Sequence, residues 1–281
     1  MFVEIIFMRK ILLAFDGVQF SEAAFDFARQ LNEKNPVLLT GVFLPKVSYA
    51  NLWSYADGVG APMFVPPMED SDEEKTELNI EKFEQLCQKH KIEYRTRKDF
   101  TDLALPELKR ESRFADLLII GGEKFYENFG SGKSNNYLKE ALHKVECSVI
   151  IVPEKYTFPT INILAYDGTE SAVFAIKQFA YLLPEFTTNP TLLTYANIDG
   201  TNTIPYEAYI EELAARHFTD LTISKLDIES KKYYATWLSD KKSAIIVAGS
   251  FGRSALSQLF SKSFVADVIN NHKVPVFIGH K

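Results

Sequence analysis

The chain has 281 residues, 46% hydrophobic and 24% charged, with a formal net charge of −6 and a sequence pI of about 5.5. This is globular composition, and the chain is long enough to bury a core without disulfides or metal. The negative balance argues against a general nucleic-acid or anionic-membrane surface, because both need a positive field. Cys87 and Cys147 form no CxxC pair, so we expect structural thiols and a cytoplasmic protein.

The N-terminal apolar run is too short to span a bilayer, which takes about 18 residues or more. It lacks a basic n-region and a cleavage site, so it is not a signal peptide. Because Met8 precedes a better strand, residues 1–7 are either an upstream extension or an alternative start. No other segment has the composition of a membrane span.

The strongest pattern in the chain is an internal repeat. Residues 11–17 read ILLAFDG and residues 162–168 read NILAYDG, so in each copy an apolar strand ends in Asp-Gly. Apolar residues at helical spacing follow, which predicts a helix directly after this strand. The two helical faces correspond member by member: Ala24, Phe25, Ala28 and Leu31 in the first copy, and Ala175, Ile176, Phe179 and Leu182 in the second.

The remaining strands repeat in the same order. Residues 115–122 and 243–250 are continuous apolar runs that stop at glycine, as strands buried on both faces do. Each copy then closes with a helix and a last apolar strand. Besides the two Asp-Gly strands, strands are predicted near 36–44, 92–99, 115–122 and 147–154, and near 190–198, 220–226, 243–250 and 274–281.

The first copy carries extra length in its middle. A charged helix is predicted from about Ser71 to Lys91, and the acidic run at 69–75 is its charged start. The second copy has only Ile204 to His217 at this place. The residues expected to form the apolar stripe of the charged helix are Leu78, Ile80, Phe83 and Leu86.

Each copy alternates strand and helix through about five strands. This pattern predicts an α/β fold, with an open, mainly parallel sheet and helices on both faces, joined by right-handed crossovers. We expect two tandem Rossmann-like domains, residues 1–155 and 160–281. The hinge between them is EKYTFPT at 154–160, a polar turn flanked by Pro153 and Pro159.

This order of elements resembles the universal stress protein family over nearly the whole chain, twice. The shared features are a strand ending in Asp-Gly, and a later strand ending in Gly-x-x-Gly, followed after nine residues by a small residue before a helix. The resemblance implies tandem domains of the adenine nucleotide α-hydrolase-like type, a role in stress response, and binding of ATP or AMP. Because family members commonly dimerise through their last strands, it also implies that the two copies pair within the chain, with a homodimer as a further option.

The second copy keeps most of the family's nucleotide motif. Gly249 and Gly252 match the glycine pair, nine residues follow, and the expected Gly-Ser reads Lys262-Ser263. Glycine lets a phosphate approach backbone N–H groups, and Ser263 would cap a helix whose N-terminus favours an anion. Lys262 could crowd the phosphate or pair with it. The residues assigned to the phosphate loop are Gly249, Gly252, Arg253, Ser254, Lys262, Ser263 and Phe264.

The first copy loses both landmarks of the motif. Three residues after Gly122 the second glycine is replaced by Phe125, and the Gly-Ser pair becomes Asn135-Asn136. The first copy is therefore expected to be degenerate for nucleotide binding. GSGKS at 130–134 resembles the end of a P-loop, but the required upstream glycine is Glu127.

Asp16 and Asp167 end the first strand of each copy. In the family an aspartate here lies beside the nucleotide, so Asp167 would need a cation such as Mg²⁺ between its carboxylate and the phosphates. The alternative is that each aspartate makes the strand-to-helix turn and stabilises the helix start. For Asp167 both interpretations stay open, whereas for Asp16 we favour the structural one.

The resemblance also implies an adenine pocket in the second copy. Ala165, Tyr166 and Tyr195 would line it, with Ala248 beside the ribose and phosphates. The two tyrosines are bulkier or more polar than the family's usual residues, and either stack on a base or fill the pocket. Filling is the favoured role.

Two functions remain in competition. The first is a nucleotide-binding stress-response protein with one working site, and the second is a module for pairing and partner docking whose glycines are relics. An enzyme such as a nucleotidyl transferase is disfavoured, since the chain lacks the glycine-rich or histidine-bearing signature that such enzymes carry after the first strand. The histidines lie at no metal-ligand spacing, and neither a nucleophile elbow nor a catalytic carboxylate pair stands out.

Overall fold

A single ten-stranded sheet organises the computed structural model of the chain. Its first half ends with the strand Ser148–Val152 and its second half begins with the strand Ile161–Tyr166. The strands Glu93–Arg97 and Leu221–Leu226 form the two edges of the sheet in the part of the chain that is described. The structure describes residues 8–16, 18–44, 70–97, 104–122, 142, 144–196, 203–226, 241, 243–249 and 274–280.

The first half alternates strands and helices as its hydrophobic periods predict. The elements in chain order are β1 (Arg9–Phe15), α1 (Glu22–Lys34), β2 (Val37–Phe43), α2 (Asp70–Lys89), β3 (Glu93–Arg97), α3 (Ala104–Ser112), β4 (Leu117–Gly121) and β5 (Ser148–Val152).

The second half has the same succession of strands, and helices are described after its first and second strands. Its elements are β6 (Ile161–Tyr166), α4 (Glu170–Leu182), a 3-10 turn (Pro184–Phe186), β7 (Thr191–Ala196), α5 (Glu207–His217), β8 (Leu221–Leu226), β9 (Ala244–Gly249) and β10 (Val276–Gly279).

The two halves have the same strand order. It reads β3-β2-β1-β4-β5 in one and β8-β7-β6-β9-β10 in the other, with all pairs inside each half parallel. The α/β fold class predicted from the repeat is therefore confirmed. The predicted pairing of the last strands is also present, because β5 and β10 meet antiparallel with Phe277 opposite Ile150.

The core follows from the composition of the central strands. Every residue of β4 and β5 is buried, because crossover helices cover both faces of a parallel sheet of this type. Burying one such aliphatic side chain contributes about 1.5–3 kcal/mol. Helices α1 and α4 start at a side-chain cap: the oxygens of Ser21 and Thr169 accept the N–H groups of Ala24 and Ala172, both at 3.2 Å.

The predicted apolar stripe of α2 is wrong at one residue. Leu78 is 57% exposed, whereas Ile80, Phe83 and Cys87 are fully buried and Leu86 is partly buried. The spacing of 80, 83 and 87 follows one helical face, and a residue two positions before Ile80 lies on the opposite side.

The polar hinge predicted at 154–160 is also wrong in character. Tyr156 and Phe158 both pack against the core, and the Tyr156 hydroxyl donates to the Asp26 carboxylate at 2.9 Å. The Phe158 ring lies 5.2 Å from that of Phe27 in the first half and 5.6 Å from that of Phe186 in the second. These aromatic contacts attach the connecting segment to both halves, so it packs against the core through Tyr156 and Phe158.

Burial also decides the state of the two thiols. Cys87 and Cys147 are buried and not joined in a disulfide, and desolvation raises the pKa of each to about 12. Such thiols stay protonated and unreactive at neutral pH, which fits a structural role. None of the helices in the described part of the chain is long and apolar enough to cross a membrane.

Candidate functional site

The carboxyl ends of the parallel strands in the second half form the candidate site. Strand β6 lies between β7 and β9, so the strand order reverses between β6 and β9. Ligands of open α/β sheets bind in the crevice at such a reversal. Asp167 and Gly168 follow β6 at this point, and Gly249 ends β9.

Asp167 is tied into the turn that it opens. Its Oδ1 accepts the backbone N–H of Thr169 at 2.9 Å and the Thr169 hydroxyl at 2.5 Å, and Thr169 in turn caps α4. Gly168 has φ of +81°, a conformation that a side chain would strain. These contacts fit the turn-making role, while the proposed role of Asp167 toward a cation stays a prediction.

Asp16 makes the corresponding turn in the first half. Its buried carboxylate accepts the N–H groups of Val18 at 3.1 Å and Gln19 at 2.7 Å. A buried carboxylate that accepts two backbone N–H groups stabilises a local turn. The structural role favoured for Asp16 is the one that this geometry fits.

Gly249 has a packing function that the sequence pattern did not reveal. A Cβ on Gly249 would lie 2.4 Å from the Ser171 hydroxyl and 2.7 Å from the Ala172 nitrogen. The glycine therefore lets the first turn of α4 approach the end of β9. Gly121 does the same in the first half, where a Cβ would lie 2.4 Å from the Ser21 hydroxyl. Both glycines have a structural reason independent of any phosphate.

Tyr166 fills the core at the end of β6. It is 1% exposed and its hydroxyl donates to the Pro205 carbonyl at 2.8 Å. Burial and the neighbouring Asp167 carboxylate raise the pKa of this phenol. Of the two roles considered for Tyr166, pocket filling is the one that fits its burial. Tyr195, its partner across β6 and β7, is only partly buried.

Ala165 and Ala248 lie on the opposite face of the sheet from Tyr166. They follow Leu164 and Val247, the last registered pair of β6 and β9, and side chains alternate between faces along a strand. Both alanines are buried. Two small side chains are thus adjacent at the strand-order reversal, where the resemblance places the adenine and ribose.

Two residues of this edge are not singled out by the sequence pattern. Pro205 packs on the Asp-Gly turn, since a Cβ on Gly168 would lie 2.8 Å from the Pro205 Cβ. The next residue, Tyr206, has φ of 54° and ψ of 38° and is 70% exposed. No motif marks either residue, because their position depends on the fold of the connection between β7 and α5.

The rest of the proposed phosphate loop lies outside the described residues, so it stays a prediction. Within the described part of the chain, no group of three or more histidine, cysteine or acidic side chains could hold a metal ion. The loop residues concerned are Gly252, Arg253, Ser254, Lys262, Ser263 and Phe264.

The equivalent edge of the first half is packed with aromatic rings. Phe15 and Phe43 occupy the paired positions of Tyr166 and Tyr195, and their rings stack at 4.9 Å. Phe20 stacks on Phe15 at 4.6 Å, and Phe83 meets Phe15 edge-on at 6.2 Å. These four rings form the phenylalanine cluster, which places apolar groups where the second half has phenol hydroxyls.

A carboxylate of the chain also contacts the first helix at this edge. The Ser21 hydroxyl, which caps α1, donates to the carboxylate of Glu154, just after β5. A Cβ on Gly121 would lie 3.2 Å from the same carboxylate. A negative charge is favoured near a helix N-terminus, so an internal group already satisfies this preference in the first half.

Comparison with solved structures identifies proteins of the same fold. A universal stress protein from Archaeoglobus fulgidus has a TM-score of 0.66 at 17% identity, with 97% of this chain and 96% of that chain covered. A functionally unknown protein from Pseudomonas aeruginosa gives 0.55 at 12% identity, covering 97% and 92%. A putative universal stress protein from the same species gives 0.53 at 12% identity, covering 97% and 93%. No family model and no curated protein matches the chain.

Proposed function

We propose that the chain is a stress-response protein of the universal stress type that binds an adenine nucleotide, ATP or AMP, in its second half. The fold likeness to a universal stress protein over 97% of the chain supports this assignment. The observation that carries the choice of half is the different chemistry of the two strand edges. Tyr166 and Tyr195 stand in the second half where Phe15 and Phe43 fill the first.

The residues at the second edge suit the parts of a nucleotide. Gly249 opens the segment with the Gly-x-x-Gly pattern, whose backbone N–H groups would hold the phosphates. A carboxylate near phosphates needs a cation, and Mg²⁺ is typically held by one or two carboxylates together with the phosphates themselves. Asp167 fits this donor set, and would be the protein ligand of the ion. The small side chains of Ala165 and Ala248 would leave space for the nucleoside.

The proposal is for binding and not for catalysis. At this edge the described side chains are tyrosines and Asp167, whose carboxylate makes its own turn and would hold the cation. A general base needs a free lone pair within reach of the proton that it removes. We therefore expect bound nucleotide to act as a signal or a structural ligand.

A second candidate function is a module for domain pairing and partner docking that binds no nucleotide. It is favoured by one specific observation: close packing against Ser171 and Ala172 explains Gly249 without any ligand. The burial of Tyr166 points the same way, because its hydroxyl already has a protein acceptor.

Thermal unfolding with and without Mg-ATP separates the two functions. A ligand at 100 times its Kd adds about 2.7 kcal/mol to stability, so a clear upward shift in Tm is expected for the nucleotide-binding function. Absence of any shift at millimolar Mg-ATP would favour the docking module.

A pair of matched variants locates the effect. Gly252→Val should abolish the Mg-ATP shift, because a branched side chain blocks the approach of a phosphate to the backbone. Phe125→Val changes the corresponding position of the degenerate first copy and should retain the shift. Gly249 is unsuitable for this test, since any side chain there collides with α4. If Gly252→Val keeps the full shift, the nucleotide does not bind at this loop.

A further inference from the structure

The connection between β7 and α5 is held against the end of β6. Pro205 packs on Gly168, and the Tyr166 hydroxyl donates to its carbonyl at 2.8 Å. These two contacts involve a buried side chain and a backbone turn, so they hold the Pro205 backbone firmly. The residue that follows, Tyr206, is consequently held beside the Asp167-Gly168 turn at the carboxyl edge of the second half.

Tyr206 adopts an unfavourable backbone conformation at this place. Its φ of 54° and ψ of 38° lie in the left-handed region, which is strained for a residue with a side chain. Strained residues of this kind cluster at active sites and ligand-binding sites. Glycine would adopt the same conformation without strain, so the presence of a tyrosine needs a reason.

Neither packing nor capping supplies that reason. The Tyr206 side chain is 70% exposed, so it gains little from burial. It precedes the first residue of α5 but makes no side-chain hydrogen bond to the helix N-terminus. The side chain is therefore an aromatic ring presented to solvent by a constrained backbone.

The surroundings of Tyr206 are those of a ligand site. Burial raises the pKa of Tyr166, and the nearby Asp167, Tyr206 and Tyr195 add to this rise. Three phenols and a carboxylate thus gather at the strand-order reversal. Within this group Tyr166 is buried and Tyr195 partly buried, so Tyr206 is the tyrosine with an open ring face.

We propose that Tyr206 recognises the purine base of the bound nucleotide by stacking its exposed ring on it. This inference rests on the proposed function and adds the residue that holds the base. An aromatic side chain stacks on any base, and this contact is a large part of base affinity in many nucleic-acid-binding proteins. Tyr166 and the Asp167-Gly168 turn then act through Tyr206, because both hold Pro205, the residue that precedes it.

Binding of two probes distinguishes base recognition from phosphate recognition. The purified full-length chain is titrated with Mg-ATP and with Mg-tripolyphosphate, which has the phosphates and no base. Tyr206→Ala is expected to weaken ATP binding about 10-fold or more, the range of one base stack, and to leave tripolyphosphate binding unchanged. Tyr206→Phe keeps the ring and should recover most of the ATP affinity.

The control and a second variant keep the test independent of folding. Tyr209 lies in the first turn of α5, three residues after Tyr206, and is 76% exposed, so Tyr209→Ala should leave ATP binding unchanged. Tyr206→Gly removes the ring and also the backbone strain, so it should raise Tm and still lose ATP affinity. A merely structural tyrosine would not give this opposite pair of effects.

Each outcome has one meaning. If the wild-type chain does not bind ATP, the proposed function fails and the role of Tyr206 fails with it. If the wild-type chain binds ATP and both Tyr206→Ala and Tyr206→Gly bind it equally well, nucleotide binding stands and the role of Tyr206 is wrong. Equal losses for ATP and tripolyphosphate would also overturn base stacking.

Discussion

The two halves of the molecule use one scaffold for two different edges. Both have the same strand order and both begin with a strand that ends in Asp-Gly. The first half closes its edge with phenylalanine rings and a carboxylate of its own chain, while the second presents tyrosines beside Asp167. The shared strand order therefore does not determine whether the edge of a half is filled with apolar rings or presents polar side chains.

The start of the first helix explains part of this difference. Helix α4 begins at Glu170, soon after Asp167, whereas α1 begins at Glu22, six positions after Asp16. The longer turn of the first half carries Phe20, whose ring folds back onto Phe15 at 4.6 Å. The connection before the helix is thus about three residues longer in the first half, and it supplies an extra ring that packs at the first edge.

The largest expected effect comes from opening the phenylalanine cluster. Phe15→Ala should lower the free energy of unfolding by about 3–5 kcal/mol, because it leaves a cavity among packed rings. Urea unfolding followed by circular dichroism measures this loss. Phe114→Ala is the matched control, since Phe114 is 67% exposed and its loss should cost less than about 0.5 kcal/mol. A loss below 1 kcal/mol for Phe15→Ala would mean that the first edge is not sealed by packing.

An intermediate effect compares the two glycines against the helices. A Cβ at Gly249 meets backbone atoms of α4 at 2.6 and 2.7 Å as well as the Ser171 hydroxyl, whereas at Gly121 it meets side-chain atoms of Ser21 and Glu154. Gly249→Ala should therefore destabilise the chain by about 1–3 kcal/mol or more, because backbone cannot move aside.

Gly121→Ala is the internal comparison for this prediction. It should cost less than Gly249→Ala in the same urea titration, since the Ser21 hydroxyl can adopt another rotamer and only the Ser21 Cβ, at 2.5 Å, must move with its backbone. The opposite order would show that the first half has the closer contact between helix and strand end.

The smallest effect, that of Tyr166→Phe, tests the polar character of the second edge. Tyr166→Phe removes the hydrogen bond to the Pro205 carbonyl and should cost about 0.5–1.5 kcal/mol in thermal unfolding. The reciprocal change, Phe15→Tyr, places a hydroxyl among phenyl rings and should also destabilise, by about 1–3 kcal/mol. If both exchanges were neutral, the two edges would be chemically interchangeable and the comparison between the halves would lose its meaning.

Local patterns were sufficient for the described elements of the fold but not for every packed face. The helix predicted before the last strand of the second copy lies outside the described residues. The strands could be predicted because buried parallel strands are continuous apolar runs, as in β4 and β5. The predicted face of α2 is partly wrong, since Leu78 fits a count of apolar residues but not the helical angle of Ile80 and Phe83. The polar turn predicted for the connecting segment is wrong because Tyr156 and Phe158 carry enough apolar surface to pack on both halves.

Sequence alone determined the duplicated strand-helix order, the Asp-Gly turns and the position of the glycine that ends β9, because each depends on neighbours in the chain. Only the tertiary structure decided that α4 presses against Gly249, that Tyr166 binds the Pro205 carbonyl, and that Tyr206 is exposed in a strained conformation. Those contacts join residues far apart in the chain, and a local pattern carries no information about which distant group will meet a side chain once the sheet has formed.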